Sequence, residues 1–140
     1  MKQDDYFLKQ IDILGRILGK IVSDLLKLKN KGEIMESIEI TTQALKNELN
    51  LNLNEILLLN NDEFVTFLQE EKKFNNGHLE KIAEILFLLG YDNISENRIN
   101  SLEKSLTIYE YLNKNSTTYS PERIKRMEKI NTVLSEIKHR

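Results

Sequence analysis

The chain has 140 residues, a net charge of −2, a hydrophobic fraction of 40% and a charged fraction of 30%. That length fits one domain, and the mix is that of a globular chain able to bury its own core without covalent staples. No cysteine is present, which excludes disulfide frameworks, thiolate metal sites and thiol chemistry.

The opening Met1-Lys2-Gln3-Asp4-Asp5 is acidic where a secretory leader is basic, and no 18-residue apolar run exists. A cytoplasmic protein without a transmembrane segment is expected. One proline and five glycines leave few helix breakers. Apolar residues recur at a 3.6-residue period with no competing alternation, so the chain is expected to be all-α throughout residues 1–140.

The first helix is expected over Asp4 to Lys29. Phe7, Ile11, Leu14, Leu18, Ile21, Val22 and Leu25 share one side, widened by Leu8, Ile13, Ile17, Leu26 and Leu28. The polar stripe is narrow and carries Lys9, Asp12, Arg16, Lys20 and Lys27. An apolar arc this wide needs more than one neighbour, either within a bundle or in a second chain. Asp5 and Asp12 are spaced to pair with Lys9 and Arg16. Gly15 and Gly19 lie four apart on this helix, and mid-helix glycine costs about 1 kcal/mol relative to alanine. They are therefore candidates for a close helix contact, within the bundle or in a dimer.

Asn30-Lys31-Gly32 is a turn with glycine as the helix stop. A second helix follows over about Glu33 to Glu48, then a short one from Asn54, then a fourth capped by Asn61 or Asp62. Asn75-Asn76-Gly77 is a turn. The fifth helix runs from His78 to Leu89 with Gly90 as its stop. Ser95 caps the sixth, whose stripe is Ile99, Leu102, Leu106, Tyr109 and Leu112. Ser120 caps the last, with Pro121 at its first turn and Tyr119 and Ile124 placed for a hydrophobic staple. Short links predict antiparallel neighbours, in a bundle or a stack of hairpins.

The residues Leu79, Ile82-Ala83, Leu86 and Gly90, followed by Leu102 and Ser105-Leu106, resemble a tetratricopeptide hairpin. Arg98 stands where that family has a small residue and Glu110 where it has its closing proline. The opening Asp5-Tyr6-Phe7-Leu8-Lys9-Gln10-Ile11 with Leu14-Gly15-Arg16 resembles a family of small bacterial proteins of unknown activity. Their members join such a helix to tetratricopeptide-like hairpins. The resemblance implies a long N-terminal helix over 1–30 and a TPR-like hairpin with a closing helix over 78–140. It favours a role in protein interaction.

Motifs for chemistry are lacking. His78 and His139 are isolated, read as surface residues, and suit no zinc pattern. No phosphate loop or serine elbow is present. No catalytic residue, metal site or cofactor is expected. The basic residues of the last helix, Arg123, Lys125, Arg126 and Lys129, alternate with acids and read as a solvated face, so no nucleic-acid partner is expected. Tyr111 falls off the core stripe and is a candidate exposed anchor for a partner. The leading expectation is a non-catalytic interaction or scaffold module, with self-association through the first helix as one form. Two alternatives stand beside it. One is a small-ligand binder or enzyme using acids and tyrosines in a helical cleft. The other is a membrane-surface or nucleic-acid accessory protein acting through the basic line Lys9, Arg16, Lys20 and Lys27.

Overall fold

A computed structural model describes residues 2–91 and 97–138. Within them the chain is all-α. The elements are α1 (Lys2–Asn30), α2 (Ile34–Leu49), α3 (Leu53–Leu57), α4 (Asn61–Glu70), α5 (Asn76–Tyr91), α6 (Arg98–Asn115) and α7 (Pro121–Lys138).

The links follow local chemistry. Gly32 takes φ +78°, its N–H donates to the Lys29 carbonyl at 3.0 Å, and the Glu33 N–H reaches back to Leu28 at 3.0 Å. This is the paired closure of a glycine-terminated helix. Asn50 ends α2 in the left-handed region at φ 51°. Asn60 caps α4, its side-chain oxygen accepting from the Glu63 N–H at 2.8 Å, one position earlier than the spacing suggested. Ser120 caps α7 as expected, accepting from the Arg123 N–H at 3.2 Å. Tyr119 stays 77% exposed, so the anticipated staple covers little. The Ser95 cap lies outside the described residues.

Helix α5 is the centre. Nine of its 16 residues are buried, including Leu79, Ile82, Ala83, Ile85, Leu86 and Gly90. It packs most extensively on α6, and also on α1 and α7. The Ser105 hydroxyl on α6 donates to the Ala83 carbonyl at 2.7 Å, and the Arg98 guanidinium donates to the Gly90 and Tyr91 carbonyls at 3.0 and 2.9 Å. The pairs run in opposite order along the two helices, so α6 is antiparallel to α5. Glu80 meets Arg123 and Glu84 meets Arg126 in ascending order, so α7 runs parallel to α5. Likewise Ile11 on α1 meets His78, and Lys29 meets the Leu88 carbonyl, so α1 is also parallel to α5. Helix α2 folds back on α1, α3 touches both α2 and α6, and α4 lies on α6.

The glycine that close packing requires is Gly90. A Cβ there would stand 2.9 Å from the Leu102 Cγ and 3.1 Å from the Arg98 carbonyl oxygen. Both neighbours are fixed, Leu102 by complete burial and the carbonyl by the backbone. Gly90 thus lies inside α5 as a contact point, not beyond its end as a stop. Gly19 has nothing within 4 Å of an added Cβ, and Gly15 meets only the His78 Nε2 at 4.0 Å. Neither is needed for contact within the chain. The expected outcome is opposite signs: Gly90→Ala loses about 1–3 kcal/mol of stability through overpacking, whereas Gly19→Ala gains about 1 kcal/mol from helix propensity. Urea unfolding followed by circular dichroism measures both.

Candidate interaction surface

Helix α1 divides at its middle. Leu18, Ile21, Val22 and Leu25 are buried against α2 and α5, but Tyr6, Phe7, Leu8, Ile11 and Ile13 are 64%, 66%, 60%, 37% and 39% exposed. The first turns carry apolar residues on nearly every side, and the chain's own helices cover only part of them. Beside these turns lies a groove of about 560 Å³, walled by Phe7, Ile11, Leu14 and Phe74 and rimmed by Lys72 and Lys73. A second depression of about 360 Å³ joins it around Gln10, Leu14, Lys72 and Phe74 and ends at Leu49 and Asn50. No carboxylate lines the larger groove.

The floor of the groove is organised by His78, which is buried. Asn75 precedes the first turn of α5, and its side-chain oxygen accepts from the His78 N–H at 2.9 Å. The His78 Nδ1 accepts in return from the Asn75 N–H at 3.0 Å. This is a reciprocal capping box with histidine in the usual Glu position. Because Nδ1 is an acceptor, Nε2 carries the proton, and it donates to the Ile11 carbonyl at 3.0 Å. The sequence reading placed His78 at the surface. The Asn75-x-x-His78 spacing was the available signal for the cap. Lys72 donates to the Asn50 carbonyl at 2.7 Å, holding the C-terminal end of α2 against the groove.

The candidate anchor Tyr111 is half-buried, and its hydroxyl accepts from the Gln69 amide at 2.6 Å. It ties α6 to α4, and Gln69 in turn lines the groove. Gly15 touches the same region through His78. Gly19 lies on α1 away from that cluster, with open space before it. Asp5 and Asp12 do not pair with Lys9 and Arg16 as their spacing suggested; the ion pair that forms at that spacing in α1 joins Lys20 and Asp24 at 2.8 Å, and it raises the Lys20 pKa.

The basic residues of α7 are also not all solvated. Arg123 is buried, and its Nε donates to Glu80 Oε1 at 2.9 Å, its Nη2 to the same oxygen, and its Nη1 to Asn113 at 3.0 Å. Arg126 donates to Glu84 at 3.0 Å and to the Tyr109 hydroxyl at 3.4 Å. Glu80 and Glu84 are four apart on α5, so this ladder fixes the register of α7 on α5. Burial pushes the Tyr109 phenol up to about 12, with Arg126 opposing the rise. Among the described residues no group of three His, Cys, Asp or Glu could hold a metal, and no helix is long and apolar enough to cross a membrane.

Compared with models of known protein families, with curated proteins and with solved structures, the chain matches none of them.

Two outcomes follow from the ladder. Glu80→Leu strands a buried guanidinium and lowers stability by about 3–5 kcal/mol, whereas Glu80→Leu with Arg123→Met loses far less; chemical denaturation of the single and double variants measures the difference. For Tyr109, the folded pKa lies above the unfolded value near 10. Its contribution is therefore complete below pH ~10 and is lost as pH rises toward ~12. Tyrosinate absorbance should show a component near pH 12 that Tyr109→Phe removes.

Proposed function

We propose that the chain is a non-catalytic protein-interaction module whose docking surface is the N-terminal half of α1 with the adjoining α4–α5 groove. The observation that carries this reading is the exposure of Tyr6, Phe7, Leu8, Ile11 and Ile13 on consecutive turns of one helix. Their open area is on the order of 500 Å² at ~200 Å² per large side chain. That is the size of the largest apolar patches found on monomers, and a large share of the ~800 Å² one partner gives to a standard interface. Aromatic residues are enriched at interface centres, and Tyr6 and Phe7 lead this segment. The groove beside it offers apolar walls with basic and amide groups at its rim, as helix-in-groove recognition uses. The alternating directions of α5, α6 and α7 and the small-residue contacts of Ala83 with Ser105 and of Gly90 with Leu102 support the tetratricopeptide-like reading of this half.

The test compares the wild type with Phe7→Gln/Leu8→Gln as bait in nuclease-treated lysate of the native cell. Both positions are exposed, so the melting transition should barely move. A protein recovered in near-stoichiometric amount by the wild type and lost with the variant supports the proposal. Equal recovery by both, or none by either, overturns it.

A further inference from the structure

Four exposed charges on α1, Asp5, Lys9, Asp12 and Arg16, stand at i, i+4, i+7 and i+11 and alternate in sign. At 3.6 residues per turn this spacing keeps them within about 60° of one another around the helix, as one strip roughly 16 Å long. Tyr6 and Ile13 border the strip on one side and Leu8 on the other, 64%, 39% and 60% exposed. The order along the chain is anion, cation, anion, cation. Read backwards, the strip is therefore its own charge complement.

The chain leaves these charges unmatched. Asp5 with Lys9 and Asp12 with Arg16 have the spacing of pairs within a helix. The ion pairs among the described residues instead join Lys20 with Asp24, Arg123 with Glu80 and Arg126 with Glu84. None of the four lines the groove beside α1 or the depression that joins it.

We propose that the strip is a self-association contact, in which α1 of one copy lies antiparallel along α1 of a second copy, about a two-fold axis at the level of Gln10 and Ile11. In that register Asp5 stands opposite Arg16 of the second copy, and Lys9 opposite Asp12 of the second copy. The axis repeats both pairs, so all four charges of each copy are matched. Beside them Tyr6 of each copy packs over Ile13 of the other, which removes apolar surface from water. A parallel alignment in register sets Asp5 on Asp5 and Lys9 on Lys9, and the like charges reject it. The contact uses the same patch on both copies, so it closes at two and does not extend into filaments. One helix against its copy buries less than the ~800 Å² per partner of a standard interface, and exposed ion pairs are weak and screened by salt. The dimer is therefore reversible and weakens as ionic strength rises. Its pairing charges lie outside the groove, so the inference goes beyond the docking reading and does not depend on it.

The experiment is sedimentation velocity of the full chain over a dilution series at low and high salt, with circular dichroism melts to show that each variant is folded. Asp5→Lys/Asp12→Lys makes the strip wholly basic, and Lys9→Glu/Arg16→Glu makes it wholly acidic. Expected is a reversible dimer of the wild type, weakened about tenfold or more in either variant alone. An equimolar mixture of the two variants should form a heterodimer, and one chain carrying all four substitutions should dimerise again. Because a lysine at Asp5 opposes the dipole near the start of α1, Asp5→Asn/Asp12→Asn is included as a neutral version and should weaken the dimer partially. A wild type that stays monomeric throughout overturns the proposal and leaves the strip as a solvated face. Association unchanged in all the variants also overturns it, as does a mixture of the two folded variants that stays monomeric. If the wild type is monomeric while Phe7→Gln/Leu8→Gln still loses a captured protein, the dimer falls and the interaction module stands.

Discussion

The contact between α5 and α6 is the constraint on which the remaining packing depends. α5 is apolar around most of its circumference, so it can fold only when surrounded. Ala83 and Gly90 let α6 come close enough for Ser105 to bond to a helix carbonyl and for Leu102 to occupy the space a side chain would take. With α6 seated on one side, α1 and α7 are left to cover the others, and both run parallel to α5. The polar contacts then select among otherwise similar apolar packings. His78 fastens the start of α5 to α1, and Glu80 and Glu84 fix α7.

This arrangement explains why α1 exposes its beginning. The His78 bond to Ile11 sets where α1 crosses the start of α5. The turns before that crossing have no described helix on most sides, while the turns after it run between α2 and α5 and are buried. An apolar segment overhanging a capped helix start is therefore a consequence of register, and it is the feature from which the interaction reading grows.

Much of the fold was legible because helices are specified locally. The 3.6-residue period, the Gly32 stop and the Ser120-Pro121 start act within a few residues, and the helices they predict are present with ends shifted by a residue or two. The core residues Leu18, Leu25, Leu79, Leu86, Leu102, Tyr109 and Ile130 follow from the same period. The wide apolar arc of the first helix was likewise readable, together with its demand for more cover than one neighbour gives. Less was legible at the candidate site. Gly15, Gly19 and Tyr111 were singled out by composition and spacing, yet Gly19 faces open space and Tyr111 is engaged by Gln69.

The sequence by itself determined which segments are helical, which side of each is apolar, and that thiol chemistry has no basis in these residues, because propensity, capping and periodicity are properties of neighbouring residues. Only the tertiary structure decided that Gly90 is the close contact, that His78 and Arg123 are buried, and that α1 is covered along its second half and bare along its first. Those outcomes depend on helices brought together from residues dozens of positions apart. A side chain's burial and partners are set by what the other helix presents at the crossing, and no local pattern records where two helices cross.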